Sequence, residues 1–343
     1  MKVAVVILNW NGAEYLRKFL PALIRHTPKP EVEIVIADNG STDDSLEVLS
    51  AEFPSLRVIA FDRNYGFAGG YNRALARLDS EYYLLLNSDV EVGENWLAPM
   101  LDFMQNNPQF AGCQPKIRAF HNKDYFAKEV FFEYAGASGG FIDKFGYPFC
   151  RGRILGTIEK DTGQYDDTAS VFWASGACFL VRADAFWEME GFDTDFFAHM
   201  EEIDLCWRLH NGGHKIACVP QSVVYHVGGG TLNAESPYKT YLNFRNNLLM
   251  LYKNLPANKL RKTMFVRYFL DYLASFHLML GGKFANARSV FRARRDYKTM
   301  RDRYYYIDRN ENKQLADIPE IYCKSIVFEY YMKGKRRFEE LFF

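Results

Sequence analysis

Short apolar runs alternate with amphipathic stretches along the first 115 residues of the chain. Three of these runs, VAVVIL, EIVIAD and YYLLL, end directly in polar residues, as buried strands of a layered sheet do. Apolar side chains recur with the helical period from Ala13 to Ile24, which predicts a helix between the first two runs. The alternation predicts an α/β fold with a mainly parallel sheet, helices on both faces, and a ligand beyond the carboxyl ends of the strands.

The same pattern predicts the other elements of this first region. They are a capped helix from Thr42 to Glu52, a helix after GFAGG, a helix around Trp96 to Met104, and strands at RVIAF and near FAGCQP. Residues 116–170 lose the regularity and gather glycine, aromatic and charged residues, which indicates an irregular insertion.

A second patterned region follows the insertion. The run VFWASGACFLVR predicts a strand, and the turn GFDTDFF leads into a helix predicted from Glu201 to Asn211. From Tyr241 onward the pattern is helical, basic and aromatic. We therefore expect one α/β domain over residues 1–240 and a helical C-terminal region over residues 241–343.

Composition adds an uneven distribution of charge to this picture. The chain has 343 residues, of which 48% are hydrophobic, so a substantial core is expected. Lysine plus arginine and aspartate plus glutamate both number 42, which argues against a general nucleic-acid binder. Residues 241–343 nevertheless hold 21 basic and 10 acidic residues, whereas residues 1–240 hold 21 and 32.

Cysteine usage and the apolar segments bear on the compartment. The six cysteines are scattered without a C-x-x-C pair, so we expect reduced thiols in a cytoplasmic protein. VAVVIL is too short for the apolar core of a secretory signal and is interpreted as the first strand. No run of about 18 uncharged apolar residues occurs, so a membrane-spanning helix is not expected.

Candidate chemistry begins with three polar clusters that follow three of the predicted strands. They are Asn9 to Asn11, Asp38 to Asp43, and Asn87 to Asp89. Because the carboxyl ends of parallel strands lie at one edge of a sheet, the clusters should converge in one crevice. Asp38 is placed to accept hydrogen bonds from a ribose hydroxyl or a base N–H. The stretch DNGSTDD is also typical of a tight turn with a helix N-cap.

Glycine spacing argues against a dinucleotide site. The turn after the first strand, NWNGAEY, carries no G-x-G-x-x-G motif. The stretch GFAGGYN, residues 66–72, instead offers glycines at a helix N-terminus, where the backbone can approach a nucleotide closely.

Asp89 and His226 are candidate metal ligands. A nucleoside diphosphate brings about two or three negative charges, which a lone carboxylate would repel unless a divalent cation lay between them. Asp89 suits that position, and the alternative is that it caps the helix that begins near Glu94. His226 follows an apolar run and precedes three glycines, and it is either structural or a ligand near metal and diphosphate.

A cluster of acids opens the helix predicted at Glu201. Glu201, Glu202 and Asp204 are favoured there by the helix dipole, even without a role in catalysis. Adjacent helical residues point about 100° apart, so only one of the two glutamates should face a pocket squarely. That one is a candidate general base.

Seven motifs, taken in order, resemble the family 2 glycosyltransferases of the GT-A fold. Within that family they most resemble the bacterial rhamnosyltransferase-type enzymes that build surface polysaccharide. The resemblance covers residues 1–250 and is specific, because all seven motifs agree in order and spacing. The motifs are VVILNWNG, IVIADNGSTDDS, NYGFAGGYNRAL, YYLLLNSDV, WASGACFLVR, GFDTDFFAHMEEIDLCWRL and YHVGGGT.

The resemblance implies an inverting transfer of a sugar from a nucleotide-diphosphate donor to an acceptor hydroxyl, helped by Mg²⁺ or Mn²⁺. Asp38 matches the ligand of the base or ribose, Asp89 the principal metal ligand, and Glu202 the catalytic base. This chain has Asn87 where the D-x-D motif has its first Asp, and it has Glu202 where the family has an Asp as base. The other implied residues are Asn9, Asn11, Asn64, Gly66 and Asn87 for the nucleotide, His226 beside the metal, and Trp173, Gly176, Asp193 and Glu201 for an acceptor or sugar pocket on the side of residues 116–170.

The basic C-terminal region has two interpretations. Interleaved aromatic and basic residues suit helices on an anionic membrane surface, which would bring the site to a lipid-linked or polysaccharide acceptor at the inner face of the cytoplasmic membrane. The alternative is a helical cap with a basic solvated face, or a homodimer surface. No nucleic-acid-reading module is recognisable, so no nucleic-acid partner is expected.

Two other functions stay open at this point. A nucleotidyltransferase has a similar sheet but expects a glycine-rich basic loop after the first strand, which NWNGAEYLRK matches poorly. A non-catalytic nucleotide-sugar-binding protein would be expected to lack Asp89 or Glu202, and both are present. Rhamnose on thymidine diphosphate is the donor that the subgroup suggests, with uridine- and guanosine-linked donors still open.

Overall fold

The computed structural model describes residues 2–27, 31–120, 130–228 and 236–341. In this part of the chain, fourteen strands form a nine-stranded sheet and a five-stranded sheet. The strands are β1 (Val3–Asn9), β2 (Val32–Asp38), β3 (Arg57–Ala60), β4 (Tyr82–Asn87), β5 (Val90–Val92), β6 (Phe110–Ala119), β7 (Gly140–Asp143), β8 (Pro148–Cys150), β9 (Arg153–Ile154), β10 (Thr157–Ile158), β11 (Ala169–Val171), β12 (Cys178–Arg182), β13 (Lys215–His226) and β14 (Ile321–Tyr322).

The large sheet is mixed, so the expectation of a mainly parallel sheet is wrong for half of it. Strands β3, β2, β1 and β4 lie side by side in that order and run parallel. Strand β12 then pairs antiparallel with both β4 and β6, and β13 pairs parallel with β6 and antiparallel with β5 and β11. Hydrophobic periodicity identifies a strand but does not encode the direction in which it enters a sheet.

Ten helices surround the sheets in the described ranges. They are α1 (Ala13–His26), α2 (Ser45–Glu52), α3 (Gly66–Leu75), α4 (Ala98–Asn106), α5 (Ala183–Glu188), α6 (Glu201–Asn211), α7 (Pro237–Asn254), α8 (Ala257–Leu280), α9 (Phe284–Met300) and α10 (Ile326–Lys333). The helices predicted from Ala13 and from Glu201 are confirmed. The helix predicted from Thr42 begins at Ser45, because the Asp43 carboxylate accepts the Ser45 N–H at 3.1 Å and forms a turn first.

Helices cover both faces of the large sheet, as the alternation predicts. Side chains alternate along β1, so Val5 and Ile7 belong to one buried core and Ala4 and Val6 to the other. The first core is closed by α1, α2 and α4, and the second by α3, α5 and α6.

The region expected to be an irregular insertion contains regular structure. Residues 116–119 end the long strand β6, and β7 to β10 form four strands of the small sheet. Strand β14 completes that sheet by pairing in parallel with β7, Ile321 opposite Ile142. Strands of two to four residues are too short to leave a periodic signal, so this sheet escapes sequence analysis. The single strand predicted over residues 171–182 is likewise two strands, β11 and β12, with a turn between them.

The region expected to be helical, residues 241–343, contains most of α7 and all of α8, α9 and α10. Helix α7 begins at Pro237, before the expected boundary, and β14 joins the small sheet. Helix α7 packs against α6, α8 and α9, which places the last hundred residues beside the acids that open α6. Among the described residues, no helix combines the length and the apolar composition needed to cross a membrane.

Candidate active site

The three polar clusters that follow the parallel strands meet at one edge of the large sheet. In the register of the sheet, Asn9 at the end of β1 lies opposite Asp38 at the end of β2. On its other side, Leu8 lies opposite Asn87 at the end of β4. The convergence expected from the sequence is therefore present in the fold.

Asp38 and Asn9 form a buried pair at this edge. Both side chains are fully buried, and the Asn9 amide donates to Asp38 Oδ2 at 3.0 Å. The backbone N–H of Ser41 donates to Asp38 Oδ1 at 2.9 Å. A carboxylate has about four acceptor positions, so Asp38 keeps capacity for another donor. The buried Asn9 Oδ1 has no hydrogen-bond partner among the described residues.

Asn11 joins the first two strand-to-helix turns. Its backbone adopts a positive φ of 52°, which asparagine tolerates better than most residues. Its N–H donates to Ser41 Oγ at 2.9 Å, and its side-chain oxygen accepts the Thr42 N–H at 2.7 Å. These bonds hold the turn after β1 against the turn after β2.

Asn64 and Gly66 shape the start of α3. The Asn64 side-chain oxygen accepts the Gly66 N–H at 2.7 Å. Gly66 has a φ of +74°, and a Cβ on it would lie 2.5 Å from the Phe197 carbonyl oxygen. That carbonyl also accepts the N–H groups of Phe67 at 2.6 Å and Ala68 at 3.3 Å. The backbone of Phe197, from the loop before α6, therefore packs directly against Gly66, and the approach of a nucleotide expected at this glycine stays a prediction.

Asp89 and His226 are in direct contact. Asp89 Oδ1 lies 3.1 Å from His226 Nε2, and Asn87 Nδ2 lies 3.5 Å from the same nitrogen. Burial opposes the charged form of Asp89, but the hydrogen bond and charge of His226 outweigh burial and lower the pKa of the carboxyl group. The expected proximity of the two candidate ligands is therefore observed.

Glu133 completes this charged group, and sequence analysis did not identify it. His226 Nδ1 lies 3.4 Å from Glu133 Oε2, on the side of the ring away from Asp89. Burial lowers the pKa of His226, yet the adjacent carboxylates of Asp89 and Glu133 outweigh it and raise that pKa to about 10. Glu133 follows no predicted strand, and it reaches the site because its N–H bonds to the Ile117 carbonyl at 3.0 Å.

The acids at the start of α6 differ in accessibility. Glu201 is buried, whereas Glu202 is partly exposed, and each has one buried oxygen without a partner among the described residues. Burial, together with the neighbouring Glu202, raises the pKa of Glu201 well above its ordinary value. Burial also raises the pKa of Glu202, to about 7, against opposing backbone hydrogen bonds. Glu202 is therefore the glutamate that titrates near neutral pH.

The loop that leads into these acids has an unusual backbone. Phe197, His199 and Met200 all have left-handed φ values, 65°, 71° and 74°. Such a conformation costs roughly 1–2 kcal/mol for a residue other than glycine and persists only when its surroundings hold it in place. Burial lowers the pKa of His199 to about 4, with a smaller effect of Lys239 in the same direction.

Helix α7 supplies the groups that hold this loop. The two N–H donors of the buried Asn246 side chain are shared among the carbonyl oxygens of Phe196, Ala198 and His199, which lie 2.8, 2.9 and 2.7 Å from its nitrogen. The neighbouring Arg245 donates to the carbonyls of Asp195 and Phe196, at 2.8 and 3.0 Å. Neither residue lies in a recognised motif, so only the fold brings them to the site.

Asp193 lies in an ion-pair network between α6 and α7. Its Oδ2 accepts from Lys253 Nζ at 2.6 Å and from the Tyr304 hydroxyl at 2.8 Å. The same lysine donates to the buried Asp204 at 2.8 Å, and Asp204 also pairs with Arg208 at 2.9 Å. The i, i+4 pair expected on α6 is therefore formed, and the Asp193 carboxylate is occupied by C-terminal residues.

Trp173 and Gly176, both expected near an acceptor, lie in packed surroundings. Trp173 is buried and donates from its indole N–H to the Phe141 carbonyl at 2.9 Å. A Cβ on Gly176 would lie 2.9 Å from the ring of Phe67. These contacts place both residues at the junction of the two sheets and α3, and their part in acceptor binding stays a prediction.

The side chains at Asp89 suit a divalent cation that takes most of its ligands from water and from the phosphate groups of a bound nucleotide. Among the described residues, no group of three or more His, Cys, Asp or Glu side chains is arranged to hold a metal ion. Asp89 supplies one carboxylate, and His226, in buried contact with it, would supply one imidazole after giving up a proton to solvent, because a histidine ligand is neutral. A cation that keeps several waters and binds phosphate oxygens needs only one or two protein ligands, which these residues provide.

Comparisons with known proteins agree with this architecture. Residues 4–189, more than half of the chain, match the family described as Glycosyl transferase family 2. An N-acetylglucosaminyl-diphospho-decaprenol L-rhamnosyltransferase of Mycobacterium tuberculosis is 29% identical over 234 residues, which cover 65% of this chain and 75% of that protein. Rhamnosyltransferase WbbL of Escherichia coli K12 is 26% identical over 234 residues, covering 65% and 83%.

Solved structures show the same fold. S. aureus TarS 1-349 in complex with UDP-GlcNAc has a TM-score of 0.56 at 16% identity, covering 98% of this chain and 93% of that one. GalNAc-T7 with UDP, GalNAc and Mn²⁺ has a TM-score of 0.58 at 17% identity, covering 87% of this chain. The chain spans 54% of the length of GalNAc-T7. The GT-A fold expected from the sequence motifs is confirmed by these likenesses. The chain is a glycosyltransferase that resembles bacterial rhamnosyltransferases, and it belongs to glycosyl transferase family 2.

Proposed function

We propose that this chain transfers a sugar, with inversion of its anomeric carbon, from a nucleoside-diphosphate sugar to an acceptor hydroxyl in bacterial cell-surface polysaccharide synthesis. The observation that carries the proposal is the carboxyl group of Glu202 at the start of α6. One of its oxygens has no partner among the described residues, and its pKa is raised to about 7. A general base works best when its pKa lies near the working pH, and this carboxyl group meets that condition.

The nucleotide would bind at the carboxyl edge of the parallel strands. Asp38 keeps acceptor capacity beyond its bonds to Asn9 and Ser41, which supports its proposed role as ligand of ribose or base. The other proposed contacts are Asn9, which lies beside Asp38, and residues at the other strand ends and turns of this edge. These residues are Asn11, Asn64, Gly66 and Asn87.

Asp89 and His226 would hold a divalent cation, Mg²⁺ or Mn²⁺, beside the diphosphate. When bound, such a cation neutralises phosphate charge and stabilises the negative charge that develops on the leaving group. The buried contact between the two side chains supports this assignment. Asn87, 3.5 Å from His226, would supply a neutral amide where an aspartate would add a further negative charge.

The chain's own residues divide the proton chemistry between them. Glu202 would accept the proton of the acceptor hydroxyl while that oxygen attacks the anomeric carbon from the face opposite the diphosphate. The bond from that carbon to the diphosphate breaks, and its electron pair leaves with the diphosphate, so the configuration inverts. Glu201 would remain protonated, because burial raises its pKa, and it would therefore support the site without competing as a base.

Donor and acceptor are proposed from the relatives. The mycobacterial relative is named as a rhamnosyltransferase that acts on an N-acetylglucosaminyl-diphospho-decaprenol, a lipid-linked acceptor. We therefore propose rhamnose, on thymidine diphosphate, as the first donor to test, and uridine-linked sugars as the second, because TarS is solved with UDP-GlcNAc. The acceptor would be lipid-linked or a growing polysaccharide, reached from the cytoplasmic side of the membrane. Trp173, Gly176, Asp193 and Glu201 would shape its pocket, and homodimer formation is a further possibility to measure.

A donor screen tests the proposal. Purified protein is incubated with Mn²⁺ or Mg²⁺ and a panel of nucleotide sugars, with and without membrane lipid extract, and release of nucleoside diphosphate is measured. Asp89→Ala and Glu202→Ala are compared with Asp102→Ala, a matched control on the exposed side of α4.

The expected result is metal-dependent release from one donor, lost in both site variants and retained in the control. Inversion is then checked by the anomeric configuration of the product. No turnover of any donor, with nucleotide sugar still bound, would identify a non-catalytic binding protein. Full activity of Glu202→Ala would overturn the assignment of the base.

A further inference from the structure

From Thr263 onward, helix α8 buries polar side chains and exposes mostly apolar and aromatic ones. Its buried side chains are Thr263, Arg267, Asp271 and Ser275, which recur every four residues along one face. A surface helix of a water-soluble domain normally buries the apolar face and exposes the polar one. The reversed arrangement indicates that the outer side of α8 meets something other than water.

The buried polar residues fix the rotation of α8 through specific bonds. Arg267 pairs with Asp271 at 3.0 Å and donates to the Phe145 carbonyl at 2.9 Å. Arg294 of α9 also donates to the Asp271 carboxylate. Ser275 donates to the Ala287 carbonyl at 3.2 Å. A rotation that buried the apolar side would break these bonds and leave charges unpaired, so the outward direction of that side is stable.

Five residues form what we call the apolar face of α8. They are Phe265, Phe269, Leu273, Phe276 and Leu280, and between 52% and 72% of each is exposed. Their spacing of three or four residues keeps them on one side of a 24-residue helix, which is about 36 Å long. A contiguous exposed patch of this kind marks an interaction surface.

Helix α9 extends this surface with alternating aromatic and basic side chains. Phe284, Arg288, Phe291 and Arg295 are exposed and share one helix face by their spacing. The ring of Phe291 lies 5.1 Å from that of Tyr272, which joins the two helices into one surface. Residues 257–303 contain 12 lysine and arginine residues against three aspartates.

We propose that the apolar face of α8 and the adjoining face of α9 dock on the surface of an anionic lipid bilayer, with both helices parallel to it. Apolar side chains would enter the headgroup boundary while the flanking cations meet anionic headgroups, which is the arrangement of an interfacial helix. A second copy of the chain fits less well, because a symmetric contact would bring the cations of one copy against those of the other. The inference stands on these helices and does not rest on the proposed reaction.

A vesicle-binding experiment tests the inference without any substrate. The full chain is mixed with vesicles of phosphatidylcholine alone or with phosphatidylglycerol added, and bound protein is separated by flotation. Phe269→Asp with Leu273→Asp removes the centre of the apolar face, and Lys262→Glu with Arg288→Glu reverses two flanking charges. Leu46→Asp is the matched control, since Leu46 is an exposed leucine on α2, outside α8 and α9.

We expect wild type and Leu46→Asp to bind the anionic vesicles, more weakly at high salt, and both double variants to bind at least about tenfold more weakly. Circular dichroism confirms that each variant is folded. Equal binding by wild type and the Phe269→Asp, Leu273→Asp variant would overturn the proposal. Failure of the wild type to bind anionic vesicles would overturn it as well. If light scattering then shows a dimer in the wild type that the Phe269→Asp, Leu273→Asp variant does not form, the apolar face binds a second copy of the chain.

Discussion

The side-chain amide of Asn246 donates to the His199 carbonyl at 2.7 Å, inside the loop that delivers Glu201 and Glu202 to the site. The same amide bonds two further carbonyls of the loop, so one buried asparagine of α7 holds three peptide groups in place. Residues with a left-handed backbone keep that conformation only when neighbouring groups hold it. Asn246 thus connects the C-terminal region to the position of the proposed base.

Asn246→Ala is therefore expected to displace Glu202 without touching substrate. The carbonyls of Ala198 and His199 lose the Asn246 donor, whereas Phe196 keeps the one from Arg245. This loss should lower the free energy of unfolding by about 1–3 kcal/mol and kcat by roughly 10- to 100-fold. The affinity for nucleoside diphosphate, measured by calorimetry, should change less than kcat, because Asn246 bonds Phe196, Ala198 and His199, which are not among the residues proposed to hold the nucleotide. Asn243→Ala, at a partly exposed asparagine of the same helix, is the control. A variant that loses stability but keeps wild-type kcat would contradict the positioning role.

Glu202→Gln removes the proposed base while it keeps the size of the side chain. We expect kcat to fall roughly 10²- to 10⁴-fold, the usual contribution of general base catalysis. Glu201→Gln is the matched control and should cost less than about tenfold, because a protonated Glu201 already resembles an amide. In the wild type, kcat/KM should rise with pH through about 7, where Glu202 loses its proton. A flat profile across that range would exclude Glu202 as the titrating base.

The raised pKa of Glu202 also predicts how stability depends on pH. Between the ordinary pKa of 4.5 and the folded value of about 7, the folded state keeps a proton that the unfolded chain has lost. The free energy of unfolding therefore falls as pH rises through this window. Glu202→Gln should be more stable than wild type above about pH 7, by about 2–3 kcal/mol, and equal to it below about pH 4.5. Urea unfolding at about pH 4.5 and above about pH 7 measures the difference in the free energy of unfolding between Glu202→Gln and wild type, with Asp102→Asn as control. A difference that does not change with pH would show that the Glu202 carboxyl group does not couple stability to pH.

Gly66→Ala tests the contact between α3 and the loop before α6. The added Cβ would lie 2.5 Å from the Phe197 carbonyl oxygen, and the φ of +74° disfavours alanine. We expect a loss of about 1–3 kcal/mol in the free energy of unfolding, together with lower kcat, because Phe197 leads directly into the acids of α6. Gly93→Ala is the control, since a Cβ there has no atom within 4 Å. Equal stability of the two variants would show that the loop before α6 moves to accommodate the added methyl group without a cost in the free energy of unfolding.

Much of the fold of residues 1–115 could be derived from the sequence, together with helix α6. The helices at Ala13 and Glu201 begin where periodicity places them, and the side chains after β1, β2 and β4 converge because parallel strands end at one edge. Local patterns of apolar residues encode these features directly. The direction of β12 and the small sheet were not predicted, since both depend on pairing between segments distant in the chain.

The sequence by itself determined most elements of the α/β pattern in the first 115 residues and the polar groups that follow β1, β2 and β4, including Asp38 and Asp89, because these follow from the spacing of neighbouring residues. It also indicated acids at the start of α6, and the choice of Glu202 among them came from the resemblance to family 2 glycosyltransferases. Only the tertiary structure decided which groups surround them. Glu133 reaches His226 across 93 residues of chain, and Asn246 reaches the loop before Glu201 from the C-terminal region. Contacts between residues so far apart in the sequence depend on how whole helices and strands pack. The local pattern of apolar and polar residues does not reveal that packing.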